Sequence, residues 1–211
     1  MNTTKIEDVG DAEGASWTRS VLARLYLRFG YLEEARYVLA EALRIRPDDS
    51  MALRLSAQYF VLKNNLTQAT QKLIEALSYY ADPDIIIELA FVYKISNQIE
   101  KSKLLLSEVE KNLREDLLVG KYGHRMQLVK LLLDNGEQGS LLEARRLAEE
   151  EAMSRPHPIT LMYLAKAQRE NQDIVAAKYT LEKVVNLGFV HPYISLLMDF
   201  KNSNYKTSRF F

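Results

Sequence analysis

The sequence predicts an all-α protein built from repeated helix pairs, and three observations carry that prediction. The apolar residues between the sparse Gly and Pro recur at helical intervals: Val21, Leu22, Leu25 and Phe29 share one side of a helix, and Leu32, Ala35, Leu39, Ala42 and Leu43 share one side of the next. No run alternates apolar and polar residues with period two for long enough to make a strand. A small residue recurs at Ala35, Ala69, Ser102, Ala144 and Ala177, at separations of 34, 33, 42 and 33 residues. A period of that length marks a stack of supersecondary units, none of which can bury its own apolar face alone.

The first unit, 16–49, has Leu22, Ala23 and Tyr26 on its first helix and Gly30 at the turn. Leu32, Ala35, Leu39 and Ala42 follow on its second helix, which Pro47 ends. The second unit, 50–83, repeats this with Ala57, Phe60, Leu66, Ala69, Leu73 and Ala76, and the third, 83–116, with Leu89, Ala90, Tyr93, Ile99, Ser102, Leu106 and Val109. In the fourth, Leu128, Val129 and Leu132 fit a first helix, and 134–140 reads as an enlarged, mobile turn before Leu141, Ala144, Ala148 and Pro156. The fifth, 158–191, gives Leu164, Ala165, Ile174, Ala177, Leu181 and Val184. Small Ala23, Ala57, Ala90 and Ala165 allow close helix approach, while Tyr26, Phe60 and Tyr93 fill the wider gap one turn on. Gly30, Asn64, Asn65, Asn97, Gly136 and Asn171 stand where first helices must end, and Gly or Asn there can turn left-handed.

With these offsets recurring together over residues 16–191, the chain resembles the tetratricopeptide-repeat (TPR) family. Trp17 stands two positions ahead of the family's usual Trp, and Gln168 takes the place of an aromatic. The resemblance implies a right-handed superhelical solenoid of about five stacked helix-turn-helix repeats with a C-terminal capping helix. Residues 1–15 read as an acidic tail, with Lys5 against Glu7, Asp8, Asp11 and Glu13 for a net of −3. Residues 16–191 form the repeat domain. Residues 192–211 read as a capping helix with Ile194, Leu197 and Met198, followed by a basic tail bearing Lys201, Lys206 and Arg209.

Composition narrows the function. The 211 residues carry 28 Lys+Arg against 28 Asp+Glu, which argues against a nucleic-acid partner, because phosphate binding draws on a cationic excess. The absence of cysteine removes thiol catalysis, disulfides and cysteine-based zinc sites, and suits a reducing compartment. The most apolar window, 85–95, is cut by Glu88 and Lys94 and is too short to span a membrane, and the N-terminal stretch has no apolar signal core. The expected location is cytoplasmic. His124, His157 and His191 are scattered, and the carboxylates Glu149 to Glu151 read as a solvated helix face. Asp134 to Glu137 lacks the ligand register of a calcium loop, and no phosphate loop or nucleophile elbow is present. No enzyme, metal or cofactor is expected.

What remains is a surface. In the family the first helices line a concave face, and offsets 5, 9 and 12 of each unit point into it. Here those offsets are Ser20, Arg24 and Leu27; Arg54, Gln58 and Val61; Ile87, Phe91 and Lys94; Met126, Lys130 and Leu133; and Met162, Lys166 and Arg169. Six are basic, seven apolar and none acidic, which describes a cationic, apolar groove suited to an acidic, amphipathic peptide segment of a partner protein. The expected partner-binding residues are Arg24, Arg54, Gln58, Ile87, Phe91, Lys94, Met126, Lys130, Met162, Lys166 and Arg169. No Asn occupies these positions, so the resemblance does not extend to the carboxylate clamp of some family members. The expected function is a protein-interaction adaptor or chaperone. The alternative is a scaffold that self-associates as a homo-oligomer through its convex surface and oppositely charged tails.

Overall fold

The computed structural model describes residues 11–189, and the structural statements below concern those residues. They form ten α-helices and no strand: α1 Ala12–Phe29, α2 Leu32–Ile45, α3 Ser50–Leu62, α4 Leu66–Tyr79, α5 Pro83–Ile95, α6 Ile99–Leu118, α7 Arg125–Asn135, α8 Gln138–Ser154, α9 Pro158–Glu170 and α10 Ile174–Asn186. A 3₁₀ turn, Tyr122–His124, precedes α7. The capping helix and basic tail expected over 192–211 lie outside the described residues. So do residues 1–10 of the acidic tail, and α1 begins at Ala12, within the stretch assigned to that tail.

Side chains that compete with the backbone start these helices. The carboxylates of Asp11, Asp49, Asp82 and Asp173, and the amide of Asn65, accept a backbone N–H from the first turn of α1, α3, α5, α10 and α4. Pro83 and Pro158 sit in the first turns of α5 and α9, where a missing N–H costs nothing. The first helices stop as the sequence anticipates at Gly30, Asn64, Asn97 and Gly136, all left-handed with φ of 80°, 56°, 62° and 74°. Asn171 departs from expectation: its φ is −85°, and the left-handed residue is Gln172 at φ 63°. The Asn171 amide donates to the carbonyls of Ala167 and Leu141, both at 2.8 Å, which holds it in the last turn and shifts the reversal by one position.

The enlarged turn expected over 134–140 is absent. α7 ends at Asn135 and α8 starts at Gln138, so Gly136 and Glu137 alone make the connection. The additional residues between Ser102 and Ala144 wind largely into helix, as an extra first turn on α8 and in the 20-residue α6 of the preceding repeat.

The helices divide into two compact units, Met1–Leu106 and Ser107–Phe211, with α6 running across the boundary. In the first unit α1 packs on α2, and both pack on α3; α3 packs on α4, and α4 on α5. Ala23, Leu27, Ala35, Leu39, Ala42, Ala52, Leu55 and Tyr59 form its buried core, with Tyr26 and Phe60 against it. Ser16, fully buried in α1, hydrogen-bonds Asp49, whose other oxygen caps α3. In the second unit α7 packs on α8, α8 on α9, α9 on α10, and α7 also meets α9. Leu161, Met162, Ala165, Leu181 and Val184 form a buried cluster there. Gln168 is buried beside Thr180, whose hydroxyl donates to its side-chain oxygen at 2.8 Å, so a polar pair stands where the first three repeats carry an aromatic.

The carboxylate run on α8 is only partly a solvated face. Glu149 pairs with Arg145 and Glu150 with Arg146, whereas Glu151 is buried between Arg125 at 3.2 Å and Arg155 at 2.6 Å. Charge on that side of α8 therefore serves to join it to α7.

Candidate protein-interaction surface

Residues one repeat apart meet on neighbouring first helices, so the expected groove residues must be read with what stands beside them. In the first unit, Arg54 and Gln58 project from α3, one turn apart, toward α5. Arg54 Nε and Nη2 donate to Glu88 Oε1 at 2.9 and 2.7 Å, and Gln58 Nε2 donates to the same oxygen at 3.3 Å. Asp84, one turn before Glu88, lies 3.9 Å from the same guanidinium. Burial pushes the Glu88 carboxyl above the usual carboxylate range, and the charge and hydrogen bonds of Arg54 offset part of that rise. Burial acts against the charged form of Arg54, but Glu88 and the Asp84 charge outweigh it, so the guanidinium holds its proton more tightly than usual. Glu88 Oε2 is buried with no hydrogen-bond partner.

Arg54 is therefore already neutralised within the fold. Arg54, Asp84 and Glu88 together carry a net −1, and the exposed cations of this surface are Arg24 on α1 and Lys94 in the last turn of α5. Neither has an ion-pair partner among the described residues. Ile87 and Phe91 are half-buried, one turn apart on α5 beside this cluster. Ser20 and Leu27, also at groove offsets, are buried.

The second unit follows the same logic. Lys130 on α7 stands over the Tyr163 ring of α9, with its ammonium 5.6 Å from the ring centre. Lys166 on α9 lies 3.8 Å from Asp134 on α7, and Arg169 lies 3.3 Å from Glu170. Met126 is half-buried, but Met162 is 5% exposed and belongs to the core cluster rather than to an open surface. The structure thus brings Arg54 and Gln58 together on Glu88, and pairs Lys130 and Lys166 with partners on the adjacent helix.

Sequence reasoning missed Glu88, Asp84, Asp134 and Tyr163 because it counted only offsets 5, 9 and 12. A signal was present: Arg54 and Glu88 are 34 residues apart, the repeat period itself, so opposite charges at that separation mark neighbours on adjacent first helices. Among the described residues no group of His, Asp and Glu is placed to hold a metal ion, and no helix is long and apolar enough to cross a membrane. His124 lies 3.4 Å from Asp116, and His157 caps α9 through Nδ1.

No family model matches the sequence, and neither does any curated protein. Solved structures do resemble it. PilF of Pseudomonas aeruginosa matches with a TM-score of 0.50 at 18% identity, over 88% of this chain and 82% of that one. PilW, a type IV pilus biogenesis factor, matches with a TM-score of 0.51 at 18% identity, over 86% of this chain and 82% of that one. YrrB, a TPR protein with an unusual peptide-binding site, is 18% identical over 89% of this chain and 92% of its own, with a TM-score of 0.42. At such identity the likeness concerns the fold: the chain folds as stacked TPR-like helical hairpins.

Proposed function

We propose that this chain is a protein-interaction adaptor that holds a segment of a partner protein against the first helices of its N-terminal unit. The observation that carries this reading is the surface on α3 and α5, where half-exposed Ile87 and Phe91 lie beside the mutually bonded Arg54, Gln58 and Glu88. Side chains that already hold one another lose little freedom when a ligand arrives, so the surface is pre-organised for binding. An apolar anchor on the partner would bury Phe91 and Ile87. Arg24 and Lys94, rather than Arg54, would attract acidic residues on the partner, since Arg54 is already engaged by Glu88. Chaperone activity is a special case of the same role, in which the held segment belongs to an unassembled protein.

The test is photocrosslinking in the native cells, with a benzophenone amino acid at position 91 and, as a control, at exposed Tyr37. A discrete adduct at 91 but not at 37, weakened in an Arg24→Glu, Lys94→Glu background, is the expected result. Adducts at 37 alone would move the interaction to the second helices and defeat the proposal. Once the partner is identified, Phe91→Ala should speed its dissociation by about tenfold or more, while the two charge reversals mainly slow association.

A further inference from the structure

α1 exposes an apolar stripe that the repeat register says should be covered. Trp17, Val21, Leu25 and Phe29 follow one another at intervals of four, on the side of the helix away from buried Ala23 and Leu27. Trp17, Leu25 and Phe29 are 60%, 43% and 58% exposed. On α3, 34 residues later, the positions of Val21 and Leu25 are taken by Leu55 and Tyr59, which are 4% and 8% exposed. These are buried in the core that α3 shares with the preceding hairpin, α1–α2. The middle of the stripe is thus buried where a helix pair stands in front of it; Met51, at the Trp17 position, is partly buried against the same core, and Lys63, at the Phe29 position, is exposed.

The charges on α1 indicate what would fit. Arg24 is exposed near this stripe and has no ion-pair partner among the described residues. Arg28 stands over the Phe29 ring at 5.9 Å, and its proton affinity is lowered by burial and by the charge of Arg24. The acidic residue within α1, Glu13, is in the first turn and lies 3.8 Å from Arg46. A second copy of α1 laid antiparallel on the first would bring four arginines to one interface with no carboxylate between them. Residues 1–10 offer Ile6 and Val9 as their branched aliphatic residues, too little to cover four large side chains.

We infer that the outward face of α1 docks an amphipathic helix of another protein, one with aliphatic residues on one side and Asp or Glu along its border. That helix takes the place a preceding hairpin would occupy and extends the stack by one layer. This site shares Arg24 with the surface proposed above, but its apolar stripe is on α1 rather than on α3 and α5, so Leu25→Asp tests it without touching Ile87 or Phe91.

Trp17 is the single tryptophan of the chain, so its fluorescence reports the site directly. The probes are two blocked helical peptides of about five turns, identical in a Leu stripe spaced for one helix face and differing in bordering Glu or Lys. The full-length chain should show solvent-exposed Trp17 emission when free. The Glu-bordered peptide should shift that emission to the blue and bind at least about tenfold more tightly than the Lys-bordered one. Leu25→Asp should abolish the shift with unchanged helical circular dichroism and melting temperature, and Arg24→Glu should reverse the preference between the peptides. Equal binding of the two peptides, or no change in Trp17 emission, overturns the inference. So does a dimer that Leu25→Asp converts to monomer, which would make a second copy the occupant. A red shift of Trp17 on deleting residues 2–10 would make the chain's own N-terminus the occupant and overturn it equally.

Discussion

Asp49 does two jobs with one carboxylate, capping α3 at the Ala52 N–H and accepting the hydrogen bond of buried Ser16 in α1. Replacing it with Ala should cost about 1–3 kcal/mol in urea denaturation, since the cap is lost and a buried hydroxyl is left without its carboxylate partner. Asp49→Asn, which keeps an acceptor, should cost less. Two other carboxylates should bend the pH dependence of stability in opposite directions. Glu143 is held below the usual carboxylate range, first by its paired hydrogen bonds from Arg114. Its contribution is present above the unfolded value and is lost as pH falls through the folded one. Glu88 is raised by burial, so its unfavourable contribution is present above its folded value and disappears on acidification. Between about pH 7 and pH 4, Glu143→Gln should reduce the loss of stability relative to the parent and Glu88→Gln should increase it; parallel slopes for the two variants would contradict both assignments. In the sequence Glu88 was visible only as a break in the most apolar window, and Glu143 did not stand out. Ionisation depends on the residue one repeat away, and a reading along one helix at a time does not see across that distance.

At the scale of the element, the helices and their stops were legible because they depend on local chemistry. Gly30, Asn64, Asn97 and Gly136 each reverse the chain where a first helix ends. The start of α8 was not legible: Gln138, Gly139 and Ser140 have the composition of a loop, and they are helical because Leu141, Ala144, Leu147 and Ala148 behind them bury one face. Asn171 misled for a similar reason, since its side chain is drawn to the Leu141 carbonyl, a tertiary contact that position in sequence does not reveal. Two glycines separate helix from loop experimentally. A Cβ added at Gly139 meets nothing within 4 Å and the backbone is helical, so Gly139→Ala should raise stability by about 0.4–1 kcal/mol. Gly136 has equal space but a φ of 74°, so Gly136→Ala should lower stability by about 1 kcal/mol. Thermal melts of the two variants displaced in the same direction would show that the connection is not built as described.

For the whole molecule, the fold was readable because the small residue of each second helix recurs at 33 or 34 residues in three of four separations, and each of those residues is buried. In a stack of hairpins, strain placed in one repeat is felt by its neighbours and fades beyond them. Ala57 and Ala90 are 1% and 0% exposed between closely packed helices. Ala57→Leu should therefore destabilise the first unit by about 1–3 kcal/mol. In hydrogen exchange this should appear as lost protection over α1 to α4, with α9 and α10 unaffected; equal loss in α9 and α10 would mean that the two units open as one block. The polar ties have a further effect. Ser16–Asp49, Arg54–Glu88, Gln58–Glu88 and Arg145–Asp173 span 33, 34, 30 and 28 residues, each close to one repeat of chain. They act as a length gauge, because a single inserted residue would rotate everything beyond it in that helix by about 100° and break the tie. α8 shows the change the gauge permits: it reaches Ala144 at its seventh residue where α2 reaches Ala35 at its fourth, a difference of nearly one full turn. Insertions at the start of a second helix should therefore be accepted in threes and fours and rejected as ones and twos, a difference that thermal melts of such variants would read.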